Sequence, residues 1–199
     1  MPGRVPFVGL TGGLGAGKSE ALRILGELGC ATLSTDAVVH ELLAGEELVG
    51  VVGERLGASV VRNDALDRSA IAERVFGDEE ARSWLEGELW PRVGQRMASW
   101  REEVEASDPP PRAAVVEVPL LFESGMEGVF DHTIAVVADE EVRERRAAAR
   151  GHTAVAGRAG RQLSQREKAE KADYTVRNDG SLEELMQSLS RVLAKIDRS

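Results

Sequence analysis

Apolar positions along this chain follow two different periods. Short, nearly continuous apolar runs occur at Val5 to Leu10, Cys30 to Leu33 and Ala113 to Val118, the last interrupted only by Glu117. Thr133 to Val137 is a further run of the same kind, and Tyr174-Thr175-Val176 is a last short one. Their length and β-branched content predict strands, and the continuous runs predict strands covered on both faces. Between these runs the apolar spacing changes to threes and fours. Ala21, Leu22, Ile24, Leu25 and Leu28 mark one helix face, and Ala37, Val38, Val39, Leu42 and Leu43 mark a second. Leu182, Leu185, Met186, Leu189, Val192, Leu193 and Ile196 mark a third, long one near the carboxyl end. Local signals agree with the periods. Gly29 ends the first helix, Ser34 or Thr35 caps the second, and Ser181 with Glu184 forms a capping box for the last. Strands alternating with helices predict an α/β fold with a parallel sheet flanked by helices.

The alternation breaks from Glu46 to Ser107, where helical spacing continues without intervening strands. A helix starts at Leu66-Asp67-Arg68-Ser69 and runs through Ile71, Val75 and Phe76. A second carries Leu85, Leu89, Val93, Met97 and Trp100, and Pro91 predicts a break or kink within it. All three tryptophans, Trp84, Trp90 and Trp100, fall here. They suit the core of a helical insertion, or an apolar wall for an organic substrate. Ser107 to Arg112 is a proline-rich loop that returns the chain to the sheet. Further on, Arg143 to Arg150 reads as a basic helix, and Gly151 to Gly160, rich in Gly and Ala without an apolar face, reads as a flap.

The first strand runs into Gly12-Gly13-Leu14-Gly15-Ala16-Gly17-Lys18-Ser19, which fits G-x-x-x-x-G-K-[ST] in the required context of strand, glycine turn and helix. Glycines permit a turn whose N–H groups converge on an anion at the positive end of the helix. The residues expected around a triphosphate are therefore Gly13, Leu14, Gly15, Ala16, Gly17, Lys18, Ser19 and Glu20. Lys18 would reach the β- and γ-phosphates, and the Ser19 hydroxyl would ligate a bridging Mg²⁺. Asp36, near the carboxyl end of the second strand, suits either proton acceptance from an attacking hydroxyl or a contribution to Mg²⁺ binding. Charge at the start of a helix explains it equally well. Glu117, ending the third strand of the sheet, is a further candidate at the metal.

Composition narrows the classes. The 199 residues suit one sizeable domain with insertions. The formal net charge of −9 argues against a general nucleic-acid binder. Its distribution is uneven, because Arg143 to Lys171 holds nine basic residues against three acidic, a local +6 that suits a small anionic ligand. No apolar run reaches the length of a membrane span, so no membrane association and a cytoplasmic location are expected, as a monomer or weak homo-oligomer. Cys30, the only cysteine, excludes an internal disulfide and reads as a small buried residue. His132 and His152 lack metal-site spacing.

A phosphate loop alone leaves kinase, GTPase and ATPase open. The only asparagines, Asn63 and Asn178, are each followed by Asp, so there is no N-K-x-D stretch to read guanine. A helical insertion and an arginine-bearing helix followed by a flap match small P-loop kinases. At this level the chain resembles the dephospho-coenzyme A kinase family. The family's G-L-T-G-G-x-G-x-G-K-S opening is Gly9 to Ser19, L-D-R and V-F are Leu66 to Arg68 and Val75-Phe76, and P-L-L-F-E is Pro119 to Glu123. R-x-x-x-Q, E-K, A-D-Y and N-x-G fall on Arg158 and Gln162, Glu167-Lys168, Ala172 to Tyr174, and Asn178 to Gly180. Ser34 stands where the family's D-A-D begins with aspartate, and Trp90 where it commonly has His before Pro91.

The resemblance implies transfer of the ATP γ-phosphate to the ribose 3′-hydroxyl of dephospho-CoA. It implies Asp36 as the general base, Arg146 and Arg150 as arginines accompanying a lid, and Asn178 near the adenine. Lys18, Asp36 and Arg150 are then the expected catalytic residues, with ATP and Mg²⁺ as cofactors. The expected organisation is a single P-loop kinase domain. Its core is about 1–60, 112–144 and 163–199, its helical substrate subdomain about 61–111, and its small lid about 145–162.

Overall fold

The computed structural model describes residues 4–149 and 162–198. The predicted flap, with Arg150, His152 and Arg158, lies outside the described residues. In chain order the elements are β1 (Phe7–Gly12), α1 (Lys18–Glu27), β2 (Ala31–Ser34), α2 (Thr35–Ala44), α3 (Val49–Leu56), β3 (Val61–Arg62), β4 (Ala65–Leu66), α4 (Arg68–Val75) and α5 (Glu79–Glu105). They continue as β5 (Ala114–Glu117), β6 (His132–Val137), α6 (Glu140–Ala149), α7 (Gln165–Lys171), β7 (Tyr174–Arg177) and α8 (Leu182–Ile196). Two compact units result, Met1–Ser34 with Arg101–Ser199, and Thr35–Trp100.

The first unit carries a parallel five-stranded sheet in the order β2-β5-β1-β6-β7. Its three central strands are almost wholly buried, and the edge strands β2 and β7 are partly open. That gradient explains why the central strands read as continuous apolar runs. The stripe of α1 (Ala21, Ile24, Leu25) and that of α8 (Leu185, Leu189, Val192, Leu193, Ile196) close over Val8, Leu10, Val115, Ile134 and Val136 in one apolar cluster. Cys30 joins this cluster, and burial pushes its thiol up to about 11.

In the second unit Leu43, Leu48, Val52, Leu56, Val60, Leu66, Ile71, Leu85 and Leu89 form a separate core. Two expectations are corrected here. The region contains an antiparallel hairpin, Val61↔Leu66 and Arg62↔Ala65, closed by Asn63 and Asp64 in left-handed backbone (φ 49° and 59°). Two-residue strands are too short to impose a period on the sequence. Of the break or kink expected at Pro91, the break does not occur, because the 27-residue helix α5 runs through the proline without interruption. The missing N–H leaves the Gly87 carbonyl without its ladder donor, while the next carbonyl, that of Glu88, gains one from Arg92 Nη1 at 2.7 Å. Apolar contacts of Leu85, Leu89, Val93 and Met97, all buried, hold the helix on both sides of the proline.

Among the described residues no helix is long and apolar enough to cross a membrane.

Candidate functional site

The loop between β1 and α1 leaves the carboxyl edge of the sheet beside β6 and β5. Gly15 (φ 74°) and Gly17 (φ 93°) adopt left-handed backbone, and each lies against another element. A Cβ on Gly15 would stand 2.6 Å from the Arg143 carbonyl, and one on Gly17 would stand 2.1 Å from Asn178 Nδ2. Glycine is therefore required at both positions for angle and for space.

The start of α1 differs from the starts of α7 and α8. Ser164 caps α7 and Ser181 caps α8, each in a capping box in which the serine hydroxyl accepts from the third helical amide. The N-cap of α1 is Gly17, which offers no side-chain acceptor. Its leading N–H groups carry the partial positive charge of the helix terminus, and Gly17 supplies no side-chain cap to them.

The carbonyls on the other side of this loop are held by donors. Gly13 O accepts from the Ala16 amide at 3.2 Å and from Lys18 Nζ at 3.2 Å. Leu14 O accepts from Arg143 Nε at 2.9 Å, and Ala16 O from Asn178 Nδ2 at 2.9 Å. These donors hold the carbonyls of Gly13, Leu14 and Ala16, and a glycine loop held in this way at a helix start is the kind that receives an anion on its remaining amides. Arg146 Nη1 in turn donates to Asn178 O at 3.0 Å. Asn178 is buried, and its own amide donates to Val137 O. Asp179 beside Arg177 raises that guanidinium's pKa, and the same arginine reaches Asp139 at 2.6 Å, which fixes the turn carrying Asn178.

Ser19 is exposed in the first turn of α1, and Lys18 is half-buried. Glu20 pairs with Arg23 at 2.6 Å along the helix surface. Glu117 is buried at the tip of β5, in register with Leu10 on one side and Ser34 on the other. Asp36 follows two residues after Ser34, exposed in the first turn of α2 and within the second unit. The helix begins at Thr35, directly after Ser34, the first of the two cap positions the sequence offers. The structure thus brings Gly13 to Ser19, Arg146 and Asn178 together.

Two residues at the loop were not anticipated. The sequence places Arg143 at the start of a basic helix and of the local +6 stretch suited to an anion, but no sequence signal ties it to Leu14. Gln165 holds both backbone groups of Ala138, accepting from its N–H at 2.9 Å and donating to its carbonyl at 2.8 Å. Its Cγ lies 2.9 Å from where a Gly13 Cβ would be. Among the described residues no group of three His, Cys, Asp or Glu side chains is placed to hold a metal ion.

Comparison with known proteins follows the same contour. Residues 6–184 match the family pattern described as dephospho-CoA kinase. The dephospho-CoA kinase of Protochlamydia amoebophila is 39% identical over 194 residues, covering 95% of each chain. A solved protein of Thermus thermophilus superposes with a TM-score of 0.82 at 32% identity, covering 98% of this chain and 99% of that one. The dephospho-CoA kinase of Campylobacter jejuni, 23% identical, shares the fold with a TM-score of 0.67, covering 99% of this chain and 100% of that one.

Proposed function

The chain belongs to the dephospho-CoA kinase family, and from that premise we propose that it transfers the γ-phosphoryl group of ATP to the ribose 3′-hydroxyl of dephospho-CoA. The observation that carries the nucleotide half of this reading is the glycine-capped start of α1: a helix terminus whose N-cap residue supplies no side-chain acceptor, its loop carbonyls held by donors, with Lys18 beside it. Such a cup suits a polyphosphate. Its charge balance agrees, since Lys18, Arg143 and Arg146 all lie at the loop.

The loop amides from Gly13 to Ser19 hold the phosphates, and Lys18 neutralises charge on the transferring group. The residues present fit a magnesium ion, because a hard cation that keeps water and phosphate oxygens needs one protein hydroxyl, and Ser19 supplies it. A Mg²⁺ held there would supply positive charge to offset that of the phosphates. Asp36 accepts the proton of the acceptor hydroxyl as its oxygen bonds to the γ-phosphorus, and the bond to the β–γ bridging oxygen breaks with its electron pair leaving on ADP. Arg150 adds positive charge at the moving phosphoryl group, and Arg146 and Asn178 flank the nucleotide. Glu117 stands close in sequence register to the phosphate loop's strand and belongs to the same carboxyl edge. The reaction is assigned to the cytoplasm.

The family match disfavours a mononucleotide kinase and a non-catalytic nucleotide switch. One assay separates all three. Purified protein is incubated with Mg²⁺-ATP and either dephospho-CoA or a panel of nucleoside monophosphates, and products are identified by mass. Coenzyme A and ADP in equal amounts are expected. Phosphorylated mononucleotides with dephospho-CoA untouched, or no acceptor-dependent ADP, overturn the proposal.

A further inference from the structure

Helix α7 has the sequence Gln-Arg-Glu-Lys-Ala-Glu-Lys and offers no apolar stripe, yet it lies against the sheet. Polar side chains dock it. Gln165 grips Ala138 just beyond the tip of β6. One turn on, Lys168 is completely buried, an unusual place for an ammonium group. Its Nζ donates to the Pro119 carbonyl at 2.6 Å and meets Glu123 Oε1 at 3.0 Å. Glu123 Oε1 also accepts from the Leu163 amide at 2.8 Å, while its Oε2, also buried, has no hydrogen-bond partner among the described residues.

Pro119 is where this pair meets the nucleotide site. Its carbonyl accepts from Lys168 and also from Thr11 Oγ1 at 3.3 Å. Thr11 sits in β1, with only Gly12 between it and the phosphate loop, and is itself fully buried. A continuous polar path therefore runs from the Leu163 amide through Glu123, Lys168 and the Pro119 carbonyl to Thr11. Together with Gln165 against Gly13, it joins the tips of β1, β5 and β6 at the edge where the phosphates are received.

Burying an ion pair is costly, and apolar side chains of similar volume would cover the same strand tips as stably. What the pair adds is a fixed donor: the buried Lys168 ammonium, held by Glu123, stays on the Pro119 carbonyl, which an apolar side chain would leave without it. We propose that Lys168 and Glu123 are positioning residues for phosphoryl transfer: without touching the nucleotide, they fix the Pro119 carbonyl and, through Thr11, the root of the phosphate loop. The proposal rests on the nucleotide half of the function above and is independent of the acceptor.

The test compares three proteins without acceptor present, reading thermal unfolding, ADP affinity by calorimetry, and amide hydrogen exchange of residues 12–18. Lys168→Met combined with Glu123→Gln removes both charges at nearly constant volume and leaves no unpaired buried ion. It is expected to unfold cooperatively, to bind ADP about tenfold more weakly, the equivalent of one lost hydrogen bond, and to exchange its loop amides faster. Thr11→Val keeps the ion pair and removes only the hydroxyl. It is expected to show the same changes at a smaller size, with Thr11→Ser restoring them. Should the double variant prove unable to fold, Thr11→Val and Thr11→Ser carry the test alone. Wild-type ADP affinity and loop exchange in Thr11→Val, or in a folded double variant, overturn the proposal and leave the pair a purely structural one. A wrong acceptor assignment changes none of these readings. In turnover assays the KM for ATP is expected to rise in step with the ADP dissociation constant, with the KM for dephospho-CoA unchanged.

Discussion

Replacing Gly17 by alanine puts a methyl group into space that is already taken. The backbone there has φ 93° and ψ 29°, and the new Cβ would lie 2.1 Å from Asn178 Nδ2. Left-handed backbone costs a residue with a Cβ about 1–2 kcal/mol. The collision forces the Asn178 amide off its acceptor, the Ala16 carbonyl, and because Asn178 is buried the lost bond is not replaced by water. That adds about 1–3 kcal/mol. A total near 3 kcal/mol is charged against the loop conformation that binds phosphate, so the competent fraction falls, and ATP affinity falls about a hundredfold with it. Calorimetric titration of Mg²⁺-ATP into wild type, Gly17→Ala, Asn178→Ala and the double variant measures both parts. Asn178→Ala should weaken binding about tenfold in the wild-type background, as expected for one lost hydrogen bond, and hardly at all once Gly17→Ala has displaced the amide. Strictly additive losses, or wild-type affinity in Gly17→Ala, would refute the argument.

The remaining expectations concern the chemistry and the buried thiol. Lys18→Ala should lower turnover by about two to three orders of magnitude, measured as ADP release at saturating substrates, since a donor aimed at developing charge is removed. Asp36→Asn should abolish transfer while ADP affinity stays at the wild-type value; near-normal turnover removes Asp36 from the role of base. The Cys30 thiol, raised to about 11 mainly by burial, should resist alkylation at pH 8 in the folded protein and react fully in denaturant, followed by mass. Because its folded pKa lies above the unfolded value, its contribution to stability is complete below the unfolded pKa near 9.0 and is lost as pH rises toward about 11. Cys30→Ala should flatten that part of a chemical-denaturation series.

The sheet was legible because its central strands are buried on both faces, so runs such as Ala113 to Val118 leave an unbroken apolar trace. The phosphate loop was legible because geometry restricts its residues to few choices, and the α8 start because a capping box is a local device. What escaped depends on partners distant in sequence. Lys168 is a charged residue in a polar helix, and its burial follows from Glu123 and Pro119, 45 and 49 residues away. Arg143 reaches a carbonyl 129 residues earlier. Neither contact leaves a periodic or local mark. The hairpin at Val61–Leu66 had a local signal in Asn63-Asp64, whose side chains tolerate left-handed backbone, but its strands are too short to reinforce it.

The shared family pattern stops at residue 184, barely one turn into α8. Leu185, Leu189, Val192, Leu193 and Ile196 all lie past that point, and every one of them is interior to the cluster that roofs the sheet. Anyone trimming a recombinant fragment to the recognisable boundary would strip the nucleotide-binding unit of its cover and expose Val8, Ile134 and Val136 to water. Where the family pattern ends and where the fold is finished are, for this chain, different places.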